Sequence, residues 1–171
     1  MKKLNFTNIL SMTALLFSAQ SYAGEASLTW SDPAQYTDIK PGIATQKATL
    51  ASIQKAFTET FDVSAAQLPT GYVFNAEITN VDLAGRVDPP QVMNTNLMNT
   101  RVLTANYFPA ITLNYTLSNA KGEVIQHAND VVVKDMDYLS GTNSASKMTP
   151  YYYETRMIKN WFAVTIIPAT K

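Results

Sequence analysis

The first 23 residues, Met1 to Ala23, decide which part of this chain folds. Lys2 and Lys3 form a cationic start, Ile9 to Phe17 a short apolar run, and Ser21-Tyr22-Ala23 a small-x-small exit of the kind signal peptidase accepts. We therefore expect a secretory signal cleaved after Ala23, which leaves 148 residues, Gly24 to Lys171, to fold. The apolar run is about nine residues long and is interrupted by Ser11 and Thr13, well short of the roughly 20 needed to span a bilayer as a helix. Retention as an anchor is not expected. With no cysteine in the chain, the lipoprotein route is closed as well.

A chain of this length can bury about two-thirds of its unfolded surface, enough for one ordinary core, so one domain spanning 24–171 is the expectation. The lack of cysteine excludes a disulfide scaffold, a thiol nucleophile and thiolate metal sites, so packing alone must hold the fold. Without Lys2 and Lys3, 11 basic residues face 13 acidic ones, and neither sign forms a block of five. Nucleic acid and anionic membrane both require a concentrated basic surface, so neither is expected as a partner.

Period and punctuation outline the elements. Leu28-Thr29-Trp30 reads as a short strand stopped by Ser31-Asp32-Pro33, and Pro41-Gly42 marks a second break. From Lys47 to Phe61, the apolar residues Leu50, Ile53, Phe57 and Phe61 recur at spacings of three and four, the stripe of an amphipathic helix ending near Asp62. Leu68-Pro69-Thr70-Gly71 launches a strand from Tyr72 to Val81, with Tyr72, Phe74, Ala76 and Ile78 on one face. Asp88 to Asn99 reads as an irregular connection and Arg101 to Tyr107 as a strand. Ile111, Leu113, Tyr115 and Leu117 alternate with polar residues in the cleanest half-buried strand, and the Asn119–Gly122 loop returns the chain antiparallel through Glu123 to Val133. The alternation slips between Gln126 and Asp130, which predicts a bulge or a break. After a polar loop from Ser140 to Lys147, Thr149-Pro150 reads as a cap and first residue of a helix from Pro150 to Phe162, followed by a short strand at Ala163 to Ile167. The fold class that follows is α+β: a mainly antiparallel sheet with two helices on one face.

Few residues offer chemistry. His127 is the only histidine, so a two-histidine metal site is excluded within one chain, and no serine sits in a Gly-x-Ser-x-Gly elbow. Asp130, Asp135 and Asp137 lack the glycine and distal glutamate of a calcium loop and read as a solvated turn. Tyr151-Tyr152-Tyr153 cannot form one flat stacking platform, because consecutive helical residues point about 100° apart; Tyr151 and Tyr153 should flank the core and Tyr152 face solvent. Glu154 stands out because the helical wheel places it between Trp161 and Ile158, and a buried carboxylate must be paired, hydrogen-bonded or protonated. Arg86 and Arg101 are the cations expected within reach of it, and Asp82 is a second carboxylate near the same strand end. These four are candidates for binding or for a buried ion pair. No catalytic constellation, cofactor or metal is expected.

Several punctuated segments occur in an order that resembles one family. They are Trp30-Ser31-Asp32-Pro33 with Tyr36-Thr37-Asp38-Ile39, Leu68-Pro69-Thr70-Gly71, and Val81-Asp82-Leu83-Ala84-Gly85-Arg86. Arg101-Val102, Pro109, Tyr115-Thr116-Leu117 with Gly122, Asp137-Tyr138-Leu139, and Tyr153-Glu154 leading to Asn160-Trp161-Phe162 complete the series. Together they resemble the secreted bacterial family known as domain of unknown function 3016. The resemblance implies an exported protein of Gram-negative bacteria and brings no activity, ligand or catalytic residue with it.

Three readings of function follow. The first is a non-enzymatic module of the cell envelope, periplasmic or secreted, that binds a protein, peptide or glycan through its sheet edge or the Asp88 to Asn99 segment. The second is a small periplasmic hydrolase using Glu154, Asp82 or His127 as acid and base, which requires two of them in one cleft. The third is a structural subunit of a homo-oligomer.

Overall fold

Four strands and two helices supply one main core, and the alternations read from the sequence decide which side chains enter it. The structure, a computed structural model, describes residues 23–40, 44–87, 100–140 and 149–171. The segment up to Tyr22 expected as a signal, the expected Pro41-Gly42 break, the connection expected from Asp88 to Asn99 and, beyond Ser140, the polar loop expected up to Lys147 lie outside the described residues. Strand β1 (Glu25–Trp30) leads to helix α1 (Gln46–Ala65) and strand β2 (Val73–Asp82); then come β3 (Arg86–Val87), β4 (Arg101–Val102), β5 (Ala110–Ser118), β6 (Val124–Lys134) and helix α2 (Tyr152–Thr165). The main sheet has the order β1-β2-β5-β6, with β3 and β4 in a separate two-stranded ladder. Both pairings along β5 are antiparallel, whereas β1 and β2 run parallel because α1 crosses over between them. Among the described residues, no helix is long and apolar enough to cross a membrane.

The alternations of β2 and β5 turn Phe74, Ala76 and Ile78, and Ile111, Leu113, Tyr115 and Leu117, to the helix-covered face. From α1, Ile53, Phe57 and Phe61 are completely buried there, with Leu50 partly so. Phe61 stacks on Phe74 with ring centroids 5.6 Å apart, and Phe57 lies 6.1 Å from Trp30. Helix α2 adds Met157, Ile158 and Phe162. A smaller cluster of Ala84, Tyr138 and Tyr153 lies beside this core.

The elements depart from the sequence expectation where tertiary contacts override local signals. Helix α1 runs past Asp62 to Ala65 because its buried row continues from Phe57 and Phe61 to Ala65, while Asp62 and Val63 remain in solvent. At its start Thr45 caps the helix, accepting from the Ala48 amide at 3.2 Å. The strand expected from Arg101 to Tyr107 is reduced to Arg101–Val102, since the chain turns at once so that the Tyr107 amide reaches the Thr104 carbonyl at 3.1 Å. Helix α2 begins at Tyr152 rather than Pro150. Its N-cap is Tyr151 in the left-handed region at φ 56°, with the ring packed against the main core and its hydroxyl 3.4 Å from the Thr49 carbonyl. The strand expected at Ala163 to Ile167 is instead the last turn of α2 and a short 3-10 turn at Ile167–Thr170, an ending that buries Ile166 completely. The slip in β6 is a bulge: Ala128 pairs with Tyr115 and Val131 with Leu113, leaving Asp130 at φ 53° with its amide bonded to Asn114 Oδ1.

Candidate functional site

The turn from Val81 to Arg86 gathers all four residues singled out from the sequence. Gly85 makes the turn possible: its φ is 74°, and a Cβ there would lie 2.5 Å from the Val102 carbonyl oxygen. The Gly85 amide donates to Tyr107 O at 2.8 Å, which brings Arg101 alongside the turn. On the other side, Asp38 is tied to β2 through its amide on Val81 O and its carbonyl under the Leu83 amide, both at 3.1 Å.

Arg101 lies across this junction and is held at both terminal nitrogens of its guanidinium. Nη1 and Nη2 fork onto the two Asp38 carboxylate oxygens at 3.1 and 3.3 Å, and the same nitrogens donate to the carbonyls of Gly85 and Lys40, each at 2.9 Å. The direct ion pair expected between Glu154 and an arginine is therefore replaced. Arg101 is committed to Asp38, and Arg86 is exposed with its guanidinium 5.5 Å from the Tyr107 ring.

Glu154, only 3% exposed, accepts the Ala84 amide at 2.7 Å in place of a cation. Burial raises its carboxyl above the usual glutamate range; the Ala84 and Glu154 amides and the field of Arg101 oppose that rise without cancelling it. It lines a cleft of about 320 Å³ together with Leu83, Arg101, Leu103, Tyr151 and Tyr152. Asp82 faces a different cleft, of about 310 Å³, with Asp38, Lys40, Arg86 and Tyr107. Its carboxyl is also raised, first by burial and then by the neighbouring Asp38 charge. The two carboxyls thus lie on opposite sides of one turn. His127 is remote from both, exposed on β6 opposite Thr116.

Of the aspartates expected in a solvated turn, Asp130 and Asp137 are exposed, whereas Asp135 is held in an ion pair. Asp135 accepts from Arg156 Nη2 at 2.7 Å, and that guanidinium also donates to Tyr138 O at 2.8 Å and sits 5.7 Å from the Tyr152 ring. Tyr152, expected in solvent, is consequently half-buried against the smaller tyrosine cluster. Tyr138 and Tyr153 meet edge to face at 4.8 Å, and the Tyr138 hydroxyl donates to Thr104 O at 2.8 Å, bracing the segment that follows Arg101.

A third concave feature lies at the edge of the sheet. Between α2 and β6, the last strand in the sheet order, runs a groove of about 420 Å³, lined by Val132, Lys134, Met157, Asn160, Trp161 and Val164. Val132 is 59% and Val164 74% exposed, large apolar side chains at a strand that, among the described residues, is paired on one side only. The signal was present in Val131-Val132-Val133 and in Val164. It was hidden because Ala163 to Ile167 reads as a strand, which removes Val164 from the helix face it occupies. Asp38 was likewise quoted only within a family segment, since nothing local marks it as the partner of a residue 63 positions later.

No curated protein and no solved structure matches the chain. A family model matches residues 24–164, most of the sequence, and by it the chain belongs to the family described as protein of unknown function DUF3016.

Proposed function

We propose that this chain is an exported, non-enzymatic binding module of the cell envelope that takes an extended peptide segment onto the edge of β6, under the flank of α2. The observation that carries the reading is the groove itself. An unpaired strand edge offers a ladder of backbone donors and acceptors that only another extended backbone can match, and the adjoining apolar wall offers a seat for alternate side chains of that strand. The bulge at Asn129 and Asp130 interrupts the ladder, so the usable edge is the Val132 to Lys134 stretch beside Met157, Trp161 and Val164. The hydrolase reading has less behind it, because among the described residues Glu154 and Asp82 line different clefts and His127 lies apart on β6.

Selection from a displayed library of random linear peptides tests the proposal. Peptides with apolar residues at alternate positions should be enriched. Val164→Asp, at an exposed position, should weaken their binding at least tenfold, whereas Glu154→Gln should leave it within twofold. Selected peptides that bind Val164→Asp as well as the parent would place the site elsewhere.

A further inference from the structure

The residue at which the family match begins, Gly24, is built into the fold in a way that its neighbour is not. Ala23 is exposed; Gly24 is buried at the C-terminal end of α1. Its nitrogen lies 3.4 Å from the Leu68 carbonyl oxygen, and a Cβ added to it would lie 2.6 Å from Leu68 Cβ and 2.8 Å from the Ala65 carbonyl oxygen. Only glycine comes this close without displacing the end of the helix. Pairing begins at the next residue, where the Glu25 amide donates to Tyr72 O at 2.9 Å. The last turn of α1 contains no basic residue and carries Asp62, so the negative end of its dipole has no cation in its own sequence.

Building on the export reading above, we propose that cleavage between Ala23 and Gly24 creates a structural cation: the new α-ammonium of Gly24 seats against the Leu68 carbonyl and complements the C-terminal end of α1. Hydrolysis of that peptide bond adds one water, leaving the carboxylate on Ala23 and the amine on Gly24. In the uncut chain the same nitrogen is a neutral amide with one proton to donate; in the cut chain it has three and a positive charge. Its outer side opens to water, because the segment beyond Ala23 is gone, so the charge is not stranded. The signal residues are thereby exchanged for an interaction that ties β1 to the end of α1.

Three forms of the chain released from a cleavable fusion test the seat: one starting at Gly24, the same form acetylated on that amine, and one starting at Tyr22. Near pH 6.5 the free Gly24 form should melt about 1 to 4 °C above the other two, the size expected of a cation at a helix C-terminus in a domain of this length. The advantage should vanish as the pH passes well above 8, where an α-amine loses its proton. Gly24→Ala should melt below the parent in the free and the acetylated form alike. Equal melting of the free and acetylated forms overturns the ammonium seat, and a Gly24→Ala chain as stable as the parent overturns the close approach. The intact mass of the chain recovered from the envelope fraction should correspond to a start at Gly24; retention of earlier residues overturns the export reading and the cleavage step, whatever the melting series shows.

Discussion

Replacing Phe74 with alanine should lower the stability of the fold by about 3 to 5 kcal/mol, a large share of the 5 to 15 kcal/mol that holds a domain of this kind together. Phe74 is completely buried on β2, and four aromatic rings close around it: Phe162 at 5.0 Å, Tyr115 at 5.5 Å, Phe61 at 5.6 Å and Trp161 at 6.2 Å. These rings come from both helices and the neighbouring strand, so truncation opens a cavity at the point where α1, α2 and the sheet meet. None of the four can collapse into it without leaving contacts of its own. Phe74→Leu retains most of the volume and should cost much less, since its loss is mainly one of ring geometry. Urea or guanidinium unfolding of the parent and both variants provides the measurement. A Phe74→Ala midpoint close to the parent's would show that the aromatic cluster repacks and is not the keystone of the core.

How much of this was legible in the sequence depends on the range of the signal. The spacing of Ile53, Phe57 and Phe61 and the alternation from Ile111 to Leu117 are local, period-based signals, and the structure places both sets in the core. The bulge in β6 was visible as a slip in parity, because a one-residue slip moves every following side chain to the opposite face. The parallel pairing of β1 with β2 was not visible: six residues of strand carry no mark of direction, and only the crossover of α1 imposes it. The start of α2 was misplaced because Thr149-Pro150 is a good local cap, whereas packing of the Tyr151 ring holds that residue in a conformation that propensity alone disfavours. At the junction, the wheel correctly placed Glu154 on an apolar side, but the identity of its partner depended on the path of a turn. A backbone amide has no side-chain signature, so Ala84 could not be nominated, and Arg101 was assigned to the wrong carboxylate for want of any sign that Asp38 folds beside it.

That reassignment changes what Glu154 should do when it is mutated. An ion pair with arginine would hold the carboxyl in its charged form, and its removal would leave an uncompensated buried cation at a cost of about 3 to 5 kcal/mol. In the observed site, only 3% exposed, burial is instead the largest influence on the carboxyl and raises its pKa, while the Ala84 amide at 2.7 Å opposes that rise without cancelling it. The sign of the linkage follows. A group whose folded pKa lies above its unfolded value contributes its full stabilisation below the unfolded pKa, and loses it as the pH climbs from the ordinary glutamate range through the raised folded value. Glu154→Gln keeps a carbonyl oxygen for the Ala84 amide and has nothing to ionise. Its unfolding free energy relative to the parent should therefore improve steadily from pH 4 upward, levelling off once the folded carboxyl has ionised. Glu154→Ala strands the Ala84 amide and should lose about 1 to 3 kcal/mol for that donor even at pH 4, with a further loss for the cavity. Denaturant unfolding of the three proteins across this range decides the matter: a Gln variant that loses about 3 to 5 kcal/mol at neutral pH and recovers in acid would mean that the carboxylate is held charged by Arg101 after all, with the Ala84 amide as a secondary contact.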